Sequence, residues 1–174
     1  MSNNLILCGL PGVGKSVVSQ ALSSQLGWQI IDTDKLVEAI YLKQYSQSLS
    51  CREIYKKLGE EAFRNLEHLV LTSLLGNREK VIAIGGGTLN APQNRSCLKQ
   101  LGLIVYLKNE HEVIYHRLMG KGMPAYLDAK NPRQSFEQIA QQREPIYESV
   151  ADVTIHTQAF SPAEIASKII EKRN

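Results

Sequence analysis

Gly9-Leu10-Pro11-Gly12-Val13-Gly14-Lys15-Ser16 fits the spacing G-x-x-x-x-G-K-[ST]. The apolar run Leu5-Ile6-Leu7-Cys8 precedes it, and a helical pattern of Val17, Val18, Ala21, Leu22 and Leu26 follows. A strand, a glycine-rich loop and a helix in that order is the context in which this spacing binds phosphate. The glycines let successive backbone N–H groups turn inward on an anion, where a Cβ would block the approach. The helix that follows adds unpaired N–H groups and the positive end of its dipole. Lys15 is placed to reach β- and γ-phosphates, and the Ser16 hydroxyl to ligate a divalent cation.

The rest of the chain alternates in the same sense. Strand-like runs recur at Trp28–Ile31, Lys80–Ile84, Leu103–Leu107 and Asp152–Ile155, separated by helical patterns. The order reads β-α-β-α-α-β-α-β-α-α-β-α, which predicts a parallel sheet covered by helices on both faces. Ser50-x-x-Glu53 and Ser161-x-x-Glu164 have the form of capping boxes, with Pro162 at a first helical position. Pro92 marks another helix start, while Gly59 and Gly102 read as helix ends.

Composition narrows the class. The chain has 174 residues, 43% hydrophobic and 21% charged, which is the size and make-up of one globular domain. A net charge of +3 without a basic stripe argues against a nucleic-acid partner. Cys8, Cys51 and Cys97 form no C-x-x-C pair, so neither a zinc site nor a disulfide framework is read. His68, His111, His116 and His156 lack ligand spacing and read as surface or packing residues. No apolar stretch reaches the length of a membrane span, and the first apolar run is too short for a signal-peptide core. A cytoplasmic enzyme with no membrane partner is the expectation.

Four further features carry possible chemistry. Ile30-Ile31-Asp32-Thr33-Asp34 puts two carboxylates at the carboxyl end of the second strand, where ligands of open α/β sheets collect. If the chain stays extended there, both point one way, Asp32 towards a metal shell and Asp34 towards a substrate hydroxyl. Otherwise Asp32 ends the strand and Asp34 caps the next helix. In Phe63-Arg64-x-x-Glu67, Arg64 and Glu67 share a helical face, either as a surface pair or with Glu67 fixing the fork that Arg64 offers to a carboxylate. Gly85-Gly86-Gly87 follows the third strand and reads as a close approach of backbone to ligand, or as a loose loop. Residues 120–133, rich in Gly, Pro and Lys, read as a mobile lid or a surface loop, with Arg117 and Arg143 on the flanking helices.

In order and spacing, Gly9–Ser16, Asp32-x-Asp34, Phe63-Arg64-x-x-Glu67, Gly85–Gly87 and Arg143-x-Pro145-x-Tyr147 resemble the shikimate kinases over essentially the whole chain. Ala151-Asp152-Val153-Thr154-Ile155 resembles that family's last strand. The resemblance implies a three-layer α/β/α P-loop NTPase fold of the nucleoside-monophosphate-kinase kind, with a five-stranded parallel sheet. It also implies transfer of the ATP γ-phosphoryl group to the 3-hydroxyl of shikimate, with Mg²⁺ as cofactor. The length predicts one kinase domain over 1–174, and a kinase of this size, burying its site within one chain, is expected to be a monomer. Carried across, Gly12, Val13, Gly14, Lys15, Ser16 and Val17 hold the ATP phosphates, and Arg117 lies against adenine. Ser16 and Asp32 serve the metal. Asp34, Arg64, Gly86 and Arg143 hold shikimate, with Lys15 and Asp34 catalytic.

Three positions depart from the family pattern. Met123-Pro124 stands where the family usually has Arg-Pro in the lid, so Lys121, or else Lys130 or Arg133, is expected to supply the missing cation. Val17 replaces a frequent hydroxyl residue after Ser16, and Ile84 precedes the triplet where many members have Thr. Gluconate kinases and nucleoside monophosphate kinases share the loop and the fold class. They do not need this set of carboxylate, arginine and glycine residues.

Overall fold

The computed structural model describes residues 3–120, 122–124 and 126–173. Five strands form one sheet: β1 (Asn4–Cys8), β2 (Gln29–Asp32), β3 (Lys80–Ala83), β4 (Gly102–Lys108) and β5 (Val153–His156). Their order is β2-β3-β1-β4-β5, and every neighbouring pair is parallel. All five residues of β1 are buried, including those on alternate sides, so helices cover both faces of the sheet at its centre.

The helices are α1 (Lys15–Leu26), α2 (Thr33–Tyr45), α3 (Cys51–Leu58), α4 (Glu60–Ser73), α5 (Pro92–Leu101), α6 (His111–Gly120), α7 (Pro132–Val150) and α8 (Pro162–Arg173). A 3₁₀ turn, Thr88–Asn90, follows the glycine triplet. Three helices lie between β2 and β3, not the two expected. Ser46 in the left-handed region ends α2, the Ser50–Glu53 capping box starts α3, and Gly59 at φ 81° turns the chain into α4. Each break was visible as a cap, but together they split one helical stretch into two. The second capping box forms as expected: Ser161 N–H and O–H both donate to Glu164 Oε2, and Glu164 N–H donates to Ser161 Oγ.

The strand order sets the location of the site. From β1 the chain goes by way of β2 to β3 on one side, then crosses to β4 on the other, so the order reverses at the carboxyl end of β1. Ligands of open α/β sheets bind at such a switch point, and the glycine-rich loop begins there.

The opposite end of the sheet is tied by Asn4. Its Nδ2 donates to Asn77 O at 2.9 Å and Leu101 O at 2.8 Å, and its Oδ1 accepts from Lys80 N–H at 3.0 Å. This buried amide joins the starts of β1 and β3 to the end of α5, and no sequence pattern marked it. Gly102 lies against it: an added Cβ would sit 2.3 Å from Asn4 O. Backbone cannot yield there, so Gly102→Ala is expected to cost about 3 kcal/mol. That corresponds to a Tm lower by roughly 6–12 °C for a chain of this size, measured by thermal unfolding.

Candidate active site

The loop after β1 and the first turn of α1 form one surface of backbone N–H groups suited to an anion. Gly14 precedes α1 with φ 113° and offers no side-chain cap, so the first N–H groups of the helix remain available to a ligand. Lys15 folds back over the loop, donating to Gly9 O at 2.8 Å and Leu10 O at 3.2 Å. Burial lowers its pKa to about 8, against the opposing pull of nearby Cys8 and Asp34. It is therefore a largely charged ammonium at neutral pH, held by two carbonyls that a phosphate can replace.

Two cavities open on either side of this loop. One, of about 460 Å³, is lined by Pro11, Asp34, Arg64, the three glycines and Arg143. The other, of about 290 Å³, is lined by Gly12, Val13, Gly14, Val17, Arg117 and Pro162. The loop thus lies between them, with Pro11 facing one cavity and Gly12, Val13 and Gly14 the other. A donor on one side and an acceptor on the other would meet across it.

In the larger cavity the triplet has an explicit steric role. A Cβ on Gly85 would lie 2.6 Å from Asp34 Oδ1, one on Gly86 3.1 Å from Arg143 Nη1, and one on Gly87 2.8 Å from Arg64 Nη2. Gly85 and Gly87 each make room for a polar side chain, and Gly86 makes room for Pro11, whose Cδ would lie 3.0 Å away, as well as for Arg143. The backbone-approach expectation understated this, because the polar residues that need the space come from α2, α7 and α4.

Those side chains are themselves fixed. Arg64 Nη1 donates to Glu67 Oε2 at 2.6 Å, and Glu67 is 4% exposed. The other oxygen of Glu67 accepts from Thr88 Oγ1 at 2.6 Å. The pair is therefore a buried, oriented fork and not a solvated surface pair. Arg64 Nε is buried with no hydrogen-bond partner among the described residues, an open donor beside the cavity. Across from it, Tyr147 donates its hydroxyl to Gly86 O at 2.5 Å, one helical turn beyond Arg143.

At the end of β2 the chain does not stay extended. α2 begins at Thr33, and Asp32 is its N-cap, Oδ1 accepting from Asp34 N–H at 3.0 Å. The capping role thus falls on Asp32 and not on Asp34, whose carboxylate sits in the first helical turn and points to the triplet. Burial, then the negative charges of Asp32 and Glu67, raise the Asp34 pKa to about 6. Cys51 Sγ lies 3.2 Å from Asp34 O, docking α3 on this turn.

Among the described residues, no group of three or more His, Cys, Asp or Glu side chains is arranged to hold a metal alone. Ser16 in the first turn of α1 and Asp32 at the end of β2 are hard oxygen donors beside the phosphate loop, and suit a divalent ion that shares its shell with phosphates and water.

The lid expectation meets the structure unevenly. Lys121 lies outside the described residues. Met123 is 47% exposed, whereas Leu127 is buried in the core. Arg133 is held by Glu112 at 2.5 Å and Glu137 at 3.0 Å, over the ring of Tyr115, so its charge is committed between α6 and α7. Lys130 N–H donates to Asp128 Oδ1, which places that residue in an exposed turn. His111 packs edge-on to Phe136 at the partly exposed edge of α6. His111 lies between Glu137 at 2.6 Å and Glu144 at 3.1 Å. Burial would lower its pKa, but the two carboxylates outweigh that and raise it.

Comparison with known proteins identifies the family. The family model described as shikimate kinase matches residues 11–174. The chain is 32% identical to a shikimate kinase of Thermodesulfovibrio yellowstonii over 169 residues, 97% of this chain and 94% of the relative. It is 33% identical to one of Vibrio parahaemolyticus, again over 97% and 94%. The solved structure of a shikimate kinase from Acinetobacter baumannii in complex with shikimate superposes with a TM-score of 0.86 at 31% identity, covering 99% of this chain and 93% of that one. The chain belongs to the shikimate kinase family.

Proposed function

We propose that the chain transfers the γ-phosphoryl group of ATP to the 3-hydroxyl of shikimate, the shikimate kinase step of aromatic amino acid biosynthesis, with the two cavities as donor and acceptor sites. The observation that carries this reading is the triplet Gly85–Gly87, which seats Asp34, Arg143 and Arg64 around one cavity beside the phosphate loop. Two guanidinium groups and one carboxylate are the complement of a small polyhydroxy acid.

In this reading Gly12 to Val17 cradle the phosphates, and Arg117, whose Nη1 lies 3.3 Å from Val13 O, covers the adenine. Arg64 and Arg143 clamp the acceptor carboxylate, and Gly86 admits it. Asp34 accepts the proton of the 3-hydroxyl as that oxygen bonds to the γ-phosphorus. The bond from phosphorus to the bridging oxygen of ADP breaks in the same displacement. Lys15 follows the charge that develops on the transferred group. Such a transfer needs in-line placement and charge neutralisation more than covalent help, and fixing the acid at three points contributes through orientation. Ser16 and Asp32 would hold Mg²⁺, and the ion would supply neutralisation of phosphate charge.

The whole chain, 1–174, works as one kinase domain, with residues of about 120–133 closing as a lid. We further read it as a cytoplasmic monomer without membrane or nucleic-acid partner. No described helix is long and apolar enough to cross a membrane.

The test is ADP formation with Mg·ATP in the presence of shikimate, gluconate, AMP, CMP or no acceptor. ADP is expected with shikimate alone. A shikimate rate equal to the rate without acceptor would remove the substrate assignment and leave the nucleotide site standing.

A further inference from the structure

We infer that Arg52 is a third guanidinium of the acceptor site, determining acceptor affinity; this rests on the proposed function above. Arg52 lies in the first turn of α3 and lines the larger cavity. Its neighbour Cys51 docks that turn on the turn of Asp34, with Sγ 3.2 Å from Asp34 O and its N–H donating to Glu38 Oε1 at 2.9 Å. Tyr55, three residues on and therefore on the same helical face, also lines the cavity, and the guanidinium carbon of Arg64 lies 5.8 Å from its ring centroid. The inward face of α3 thus runs from the Asp34 side of the cavity to the Arg64 side, with Arg52 on it.

Charge makes the position consequential. Without Arg52, two arginines of the lining, Arg64 and Arg143, face three carboxylates, Asp34, Glu60 and Glu67. The charge of Arg64 is already shared with Glu67 at 2.6 Å and Glu60 at 3.8 Å. An acceptor that is itself an anion would enter a wall of net negative charge. Arg52 brings the lining to balance. At a cavity mouth the effective dielectric is high enough for salt to screen this contribution, and low enough for one unit charge to be felt.

The experiment measures KM for shikimate and for ATP with wild-type chain, Arg52→Ala and Arg52→Lys, at low salt and at 0.5 M salt (about a 4 Å screening length). Arg52→Ala is expected to raise the shikimate KM about tenfold at low salt, with the ATP KM within twofold and kcat reduced at most about threefold. Arg52→Lys should stay within about threefold of wild type, and high salt should narrow the gap between wild type and Arg52→Ala. A helix-packing role would show no such salt dependence. Arg52 is exposed, so both variants should fold, with thermal midpoints within a few degrees of wild type. A shikimate KM within twofold of wild type in Arg52→Ala, or a parallel rise in the ATP KM, overturns the inference. Wild-type chain without shikimate-dependent ADP formation removes the proposed function and this inference together, and is recognised by the baseline alone.

Discussion

Lys15→Met is expected to reduce kcat by about 10³-fold while the protein stays folded. The ammonium lies against the loop between the two cavities, and its Nζ rests on Gly9 O and Leu10 O. Losing a preorganised donor at a developing charge costs about 10² to 10³. Losing a full positive charge at a transferring phosphoryl group has cost 10³ to 10⁵ in related chemistry. Stability should move little, because two effects oppose each other. The lowered pKa means that the folded state disfavours the charged lysine, and Met removes that cost. Against it stand two lost hydrogen bonds, each worth about 1 kcal/mol. The check is single-turnover phosphoryl transfer beside thermal unfolding. Turnover within tenfold of wild type would contradict the phosphate-loop role of Lys15. A collapse of Tm would mean the lysine is structural.

What the sequence made legible, and what it did not, follows from the range of the interactions. The glycine-rich loop is local: strand, turn and helix are contiguous, and one spacing reports them all. The strands were equally plain, because each is a short apolar run between polar flanks. The third helix between β2 and β3 was hidden, since Ser50 read as a helix start and Gly59 as a helix end, and neither read as a division within one helical stretch. The triplet was read as special, yet its reason lies in three side chains contributed by α2, α4 and α7, between 23 and 57 positions away in the sequence. The same holds for Glu67, whose burial and bond to Thr88 turn an i,i+3 pair into an oriented fork. Asn4, which ties the far end of the sheet, and Arg52, on the wall of the acceptor cavity, left no pattern at all. A lone polar residue announces its partners only when the chain has folded around it.

Asp34→Asn is expected to lower kcat by about 10² to 10³ and leave the ATP KM within about threefold, since general-base catalysis typically contributes 10² to 10⁴. The amide keeps the shape beside Gly85 but cannot take the proton of the hydroxyl. The raised pKa gives this prediction a second arm. With the carboxyl titrating at about 6, the group is ionised and able to accept a proton above pH 6, so kcat/KM for shikimate in the wild-type chain should fall as pH drops through that value. The variant should lack this limb, leaving a low and flatter profile. Stability runs the opposite way. A carboxyl whose folded pKa lies above its unfolded value stabilises the fold most when protonated, below about pH 4. That contribution is lost as pH rises through 6. Asparagine holds the neutral form at every pH, so the variant should unfold at a higher temperature than wild type at pH 8. The gain should be on the order of 1–2 kcal/mol after allowance for solvent screening, and should vanish near pH 4. Higher stability at pH 8 combined with lost turnover would identify Asp34 as a charge that the fold tolerates for the reaction. A selective loss of ATP affinity would instead place that carboxylate on the nucleotide, and an unchanged pH limb would assign the titration to another group.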